Sequence, residues 1–407
     1  MTSVALAPIG ILLLVACLIA MLSRRLGLPY IVGLVVAGFL IALLPISPEL
    51  PLSRDLIFYV LLPPLVFEAS LQLEWHRFRD ELPLTLTFAF LGVAIAAAVV
   101  AAGMHFVIGW SWIGAALFGV LIAATDPVSV IAAFRDMRCE PRLSMVVESE
   151  SLLNDGIAAV GFAVLLSIAG GGSPSAASIV PQFLWTLGGG VLVGLIVSAA
   201  VLLTVGRTKD PLVEITLTTL AAYGSFLIAE DLRASGIISA LTAGLAVRNI
   251  GSNVISDSGR ERVHAAWDYF AFLANSFVFI LIGANAANQP LRALGSTAAA
   301  VAVLLVLASR GLSVYPLAVL FNRSRWRLRA AYQHVLFWGG LRGALALALA
   351  LAVPATVPER GAIIVTAFVV VAFSILVQGL TMPLLIRHFR LGGAPQQEPV
   401  AAPAAES

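Results

Sequence analysis

The chain is expected to fold as an all-α polytopic membrane protein with about thirteen transmembrane helices, two of them unwound, and three observations carry that expectation. Of its 407 residues 60% are hydrophobic and only 11% are charged, against roughly 25% charged in soluble domains. Charge-free runs such as residues 4–22 and 88–102 approach the length of a bilayer's hydrocarbon core. The basic residues between such runs alternate between loops that are rich in arginine and loops that are nearly devoid of it.

Taken in order, hydrophobic runs bounded by charges or Gly/Pro breaks place spans at 5–22, 29–46, 55–72, 83–108, 112–134, 145–169 and 180–205. They continue at 212–231, 235–249, 265–287, 297–320, 330–352 and 360–386. Arg77 and Arg79, Arg135 and Arg138, Arg207 and Lys209, and the cluster at 323–329 fall in alternate loops, with Arg387 and Arg390 after the last span. The opposite loops hold only Arg54, Arg233, Arg292 and Arg360. An odd number of spans with the basic loops inside puts the N-terminus outside and the C-terminus in the cytoplasm of a cell-membrane protein.

Other classes fall away on composition. A formal net charge of +2 comes without a basic stripe, so nucleic acid is not an expected partner. Cys17 and Cys139 stand far apart and propose neither a disulfide nor a metal centre. Residues 1–7 lack the basic start of a cleavable signal, so the first run is expected to remain as a helix. A single transmembrane unit over 1–390 is expected, followed by a disordered cytoplasmic tail over 391–407, rich in Ala, Pro, Gln and Glu. No nucleotide-binding loop, nucleophile elbow or His-Glu-x-x-His helix occurs, so the chain is expected to be a gradient-driven transporter and not an enzyme.

Ionisable side chains inside the spans cost about 2.5–3.5 kcal/mol each on insertion scales, so each needs a reason. They are Glu68, Asp126, Glu148, Glu150, Asp155, Glu230, Arg310 and Arg342, six acids against two bases. An excess of buried acid reads as a path for cations or protons. Thr125-Asp126-Pro127 interrupts an apolar span, and Asp-Pro is what an N-cap followed by the first helical residue looks like. We read a span broken into two half-helices, the second starting at Pro127 with Asp126 offsetting its positive end; a Pro-kinked helix with an ordinary capping Asp is the plainer alternative. In the run from Glu148 to Asp155, Ser151 and Asp155 share one helical face, while Glu150 and Asn154 share the next. Gly339-Gly340-Leu341-Arg342-Gly343 weakens a second span, where Arg342 either compensates the exposed carbonyl end or pairs with Glu150. Two broken helices in different halves of a bundle suit inverted-repeat secondary transporters. Glu68 follows a Pro63-Pro64 distortion, and Arg310 is placed to neutralise a core acid. Glu230 marks either a solvated helix end or an outer cation entrance.

Together, in order, Thr125-Asp126-Pro127, Glu150-Ser151-Leu152-Leu153-Asn154-Asp155 and Gly339-Gly340-Leu341-Arg342-Gly343 resemble the monovalent cation:proton antiporter-1 family of sodium/proton exchangers of prokaryotic type. Leu62-Pro63-Pro64 with Phe67-Glu68-Ala69, Ala229-Glu230 with Ser235-Gly236, and Arg310 with Val314-Tyr315 extend the resemblance from about Pro29 to His388. One departure is Ser149, which stands where the family usually has Gly before the signature Glu.

The resemblance implies the sodium/proton antiporter fold, divided into a dimerisation bundle and a mobile core bundle, and a homodimer with elevator-like alternating access. It implies that Asp155 binds the cation or the proton, assisted by Glu68, Ser151 and the Thr125 backbone, with Asn154 beside it in the sodium/proton site. It also implies that Glu150 pairs with Arg342 and that Asp126 balances the half-helix ends. Neither a resident cofactor nor regulation by a calcium sensor or cyclic nucleotide is expected; the partners are sodium or another monovalent cation, the proton, membrane lipids and a second copy. With one carrier carboxylate, because the residue before Asp155 is Asn154, the expected exchange of sodium or lithium for protons is electroneutral and 1:1. A potassium/proton antiporter of the same fold is the alternative, ahead of a non-transporting membrane sensor.

Overall fold

The computed structural model describes residues 6–26, 29–44, 52–170, 176–251, 254–289 and 296–393. Among them are fifteen helices and no strand. They are α1 (Leu6–Leu26), α2 (Tyr30–Ala42), α3 (Leu56–Leu71), α4 (Trp75–Ile108), α5 (Trp112–Leu121), α6 (Val128–Asp136), α7 (Pro141–Ala169) and α8 (Ala176–Val205). The chain continues as α9 (Pro211–Asp231), α10 (Gly236–Asn249), α11 (Asp257–Ala287), α12 (Ser296–Leu320), α13 (Ala330–Trp338), α14 (Ala344–Leu351) and α15 (Arg360–His388). Seven of them are long and apolar enough to cross a membrane alone. The short pairs α5/α6 and α13/α14 are the two expected broken spans, so thirteen segments of the described chain correspond to the thirteen expected spans. The order α4, broken pair, α7 recurs as α12, broken pair, α15.

Proline shapes two of the helices. Turns of α3 at Leu56–Leu61 and of α15 at Ser374–Gly379 widen to i→i+5 hydrogen bonding. Pro63 and Pro64 follow the first and Pro383 the second, and each proline lacks the N–H that an α turn would donate to the carbonyl four residues earlier. Helix α4 ends where Gly109 takes a left-handed φ of 86°, which glycine adopts without a Cβ penalty.

Packing sorts the helices into two groups. In one, α2 lies along α11, α10 packs on α3, α8 and α9, and α1 on α2; in the other, α4, α5, α7, α12, α13, α14 and α15 pack mainly on one another. The α2–α11 contact is made by glycine: a Cβ on Gly283 would lie 2.0 Å from the Val35 carbonyl oxygen, and one on Gly38 would lie 2.0 Å from that of Ile280. Backbone against backbone leaves nothing to yield, so Gly283→Ala is expected to cost at least about 1–3 kcal/mol through overpacking. Thermal unfolding in detergent should show a clear drop in Tm; an unchanged Tm would contradict the close approach.

Most of the expected 391–407 tail lies outside the described residues, from 394 onward. Its first three residues are docked, not free: Leu391 is buried, and Gly393 N donates to the Met137 and Arg138 carbonyls.

Candidate functional site at two crossed helix breaks

The two breaks cross and are stitched together by backbone and by one charge of each sign. Asp126 N donates to the Leu341 carbonyl at 2.7 Å. The Asp126 carboxylate accepts from Val128 N at 3.0 Å, at the start of α6, and from the Ala344 amide, at the start of α14. One anion therefore serves the positive ends of two half-helices. Helix α6 begins at Val128, one residue later than expected from the Asp-Pro pair.

Arg342, which stands in the second break, does the opposite job for the carbonyl end of the first. Its Nη1 donates to the carbonyls of Ala123 at 2.8 Å and Ala124 at 3.0 Å, just beyond α5, whose last carbonyls lack helical partners. Ser374 holds the Arg342 backbone, accepting from its amide at 3.0 Å.

The expected pairing of Glu150 with Arg342 is not what the structure places. Glu150 receives a two-pronged bond from Arg310, Nη1 to Oε1 at 2.6 Å and Nη2 to Oε2 at 2.8 Å, and Arg310 Nε donates to the Leu336 carbonyl at 3.1 Å. The fork geometry of guanidinium matches a carboxylate only when it can approach in plane. Arg342 is turned away because its guanidinium is used by the Ala123 and Ala124 carbonyls. All three side chains are buried: Glu150 is 2%, Arg310 7% and Arg342 2% exposed. The glycines around Arg342 supply clearance for these charges. A Cβ on Gly340 would lie 2.6 Å from Arg310 Nε, and one on Gly343 would lie 2.0 Å from Asp126 Oδ2. Gly343→Ala is therefore expected to push Asp126 off the α14 amide and lower Tm; a wild-type Tm and wild-type flux in that variant would refute this role of the glycine.

A cavity of about 70 Å³ lies against this crossing, lined by Thr125, Asp126, Ser151, Asp155 and Gly343 among apolar residues of α3, α7 and α14. Two carboxylates face it, and they differ in one respect. Asp126 is committed to helix amides, whereas Asp155 Oδ1 is shielded from solvent and has no hydrogen-bond partner. Ser151 Oγ donates to the Thr125 carbonyl, which anchors the break to α7. Asn154 fastens the same residue from the next face: its Oδ1 accepts from Thr125 N at 3.2 Å and its Nδ2 donates to Thr125 Oγ1 at 2.7 Å. Asn154 thus spends its amide on Thr125 and is not among the cavity's lining residues.

Glu68 is the second expected site residue that does not line the cavity. It accepts from Gln72 Nε2 at 3.0 Å and lines a neighbouring vestibule of about 360 Å³ with Glu148, Arg135, Asp136, Asp268 and Asn275. Leu65, Ala69, Pro127 and Val128 line both spaces, so the vestibule adjoins the cavity. Asp268 on α11 is not singled out in the sequence, because it sits at a span end where an acid is unremarkable. Glu230 lines a third space, of about 280 Å³, that shares no lining residue with the cavity. There its Oε1 accepts from Gly236 N at 2.9 Å, with Arg54 and Arg233 in the same lining, which favours the helix-end reading over an acidic entrance.

Residues 11–388 match the profile of the transmembrane sodium/hydrogen exchangers. The chain is 36% identical over 400 residues to the low-affinity Na+/H+ antiporter NhaS1 of Synechocystis, covering 95% of this chain and 75% of that protein. It is 37% identical over 369 residues to the Na+/H+ antiporter ApNhaP of Aphanothece halophytica, covering 90% and 70%. It is 30% identical to the Na+/H+ antiporter NhaH of Halobacillus aidingensis over 94% of this chain and 97% of that one. The fold is that of the sodium proton antiporter MjNhaP1 from Methanocaldococcus jannaschii, with a TM-score of 0.76 at 19% identity over 95% of this chain and 98% of that chain. Crossed breaks, paired charges and a profile match over nearly the whole length lead to one assignment: the chain belongs to the sodium/hydrogen exchanger family.

Proposed function

We propose that the chain exchanges sodium for protons by competition at Asp155, one for one, with alternating access. The observation that carries this is the contrast within the cavity: one carboxylate is consumed by helix amides, and the other is left without a donor. An unsatisfied buried carboxylate needs either its own proton or a cation, and the two exclude each other. The Thr125 carbonyl and the Ser151 hydroxyl oxygen offer further ligands of the hard type that small cations prefer. The names of the relatives, all Na+/H+ antiporters, support sodium as the cation.

The vestibule lies toward the loops rich in arginine, which the positive-inside rule puts in the cytoplasm, so the conformation is inward-open with the C-terminus inside. Elevator-like movement of the α4–α7/α12–α15 group against the α2/α3/α11 group would expose Asp155 to the other face. The first group then acts as the moving core, and the second, with α1, as the bundle that pairs two copies. Dequenching of an internal pH dye in proteoliposomes, with sodium, lithium, potassium or choline added outside, tests the reading. Sodium-driven proton flux that is unaffected by clamping the voltage is expected. Flux with potassium alone would replace sodium in the assignment, and no cation-driven flux from a folded protein would reject it.

A further inference from the structure

Each broken span has one end at the cation site and the other at the membrane surface, where a glutamate from elsewhere in the chain holds it. Ser111 is the N-cap of α5, with its Oγ accepting from Gly114 N at 3.2 Å. Glu359, the N-cap residue of α15, receives both of that serine's donors: Ser111 N to Oε1 at 2.9 Å and Ser111 Oγ to Oε2 at 3.0 Å. At the opposite face Arg329 is the N-cap of α13. Glu140, the N-cap residue of α7, receives Arg329 Nη1 at 2.9 Å and the Tyr332 hydroxyl. The arrangement is the same twice over. The residue that opens the helix after one break reaches across to the start of the other broken span.

We propose that Glu140 and Glu359 are positioning residues for the cation site, two surface latches that hold the outer starts of α13 and α5 and so fix the register in which the breaks meet. The proposal rests on the reading of Asp155 as the exchange site. Helices α5 and α13 are 10 and 9 residues long, too short to be stable on their own. Their inner ends carry the carbonyls and glycines that seat Arg342 and Asp126, so a tilt at the outer start is delivered to the cavity. The closeness of the outer latch is visible in Gly114, where a Cβ would lie 2.6 Å from Glu359 Oε2. In the other latch the Arg329 pair is largely exposed, at 70% and 47%, and contributes little. The Tyr332 hydroxyl, on a side chain only 1% exposed, is the contact that matters, and it is the largest cause holding the Glu140 carboxyl below the usual range.

Glu359→Ala, Glu140→Ala, Tyr332→Phe and Asp155→Asn are reconstituted beside the wild type, and hydrogen–deuterium exchange is read on the same samples as sodium-driven flux. Glu359→Ala is expected to speed amide exchange about tenfold in residues 112–121 only, and Glu140→Ala and Tyr332→Phe to do so in 330–338 only. Each should raise the sodium KM several-fold with kcat nearly unchanged. Combining Glu140→Ala with Tyr332→Phe should add nothing further. Unchanged protection of the half-helices overturns the latches. Faster exchange without a KM change, or kcat and KM falling together with Tm, overturns the positioning role. An Asp155→Asn protein that still exchanges sodium overturns the site reading instead and leaves the protection data to judge the latches. If Glu140→Ala fails to fold, Tyr332→Phe, which removes one oxygen, still decides.

Discussion

Asp155→Asn is expected to reduce sodium-driven proton flux to the level of empty liposomes while leaving Tm at or above the wild-type value. The amide fills the same space and removes a charge whose Oδ1 has no donor in the fold, so folding loses nothing by it. The neighbouring Asp126→Asn should behave in the opposite sense. Its carboxylate serves the starts of α6 and α14, and the dipole interaction is about 0.3–1 kcal/mol at each, more where the site is dry. Flux would fall in that variant together with Tm. The two variants read side by side separate a carrier from a strut, and an Asp155→Asn protein with appreciable exchange ends the carrier assignment.

The second large effect concerns the Glu150–Arg310 pair. Removing either member strands a charge in a place that is 2–7% exposed, at a cost of about 3–5 kcal/mol. Arg310→Ala and Glu150→Gln should each lower Tm severely, whereas the double variant Glu150→Gln with Arg310→Met should recover much of the loss, since it strands nothing. Arg342→Gln should leave the Glu150 pair intact and act instead on the Ala123 and Ala124 carbonyls that follow α5. A Glu150→Gln protein as stable as the wild type, or an Arg342→Gln variant that destabilises through Glu150, would contradict the pairing.

The breaks were legible because they are local chemistry. Asp before Pro, and three glycines within five residues, state on their own that a helix stops there. The face shared by Ser151 and Asp155 follows from helical periodicity alone. Arg310 as the partner of Glu150 was not legible from spacing, since 160 positions separate them and two intramembrane arginines compete on equal terms. What decides between them is Gly340, whose missing side chain lets the Arg310 guanidinium through. The same holds for the reach of Glu359 to Ser111 and of Glu140 to Tyr332, where Glu359, Ser111 and Glu140 each read as ordinary loop residues and Tyr332 as one aromatic residue of a span. Asn154 looked like a ligand by position, and only its two bonds to Thr125 reveal a fastener.

The crossed caps have a consequence for energetics across the membrane. Asp126 against Arg342 and Glu150 against Arg310 cancel, so on the proposed mechanism these four side chains together with Asp155 carry no net charge when Asp155 holds either sodium or a proton. A resting potential then performs no work on the loaded carrier in either direction. The unloaded carrier is one negative charge out of balance. Its passage would meet the field at about 2.3 kcal/mol per 100 mV, besides the larger expense of dragging a bare anion through hydrocarbon. Tight coupling then needs no separate gate, because an empty return trip is forbidden by electrostatics.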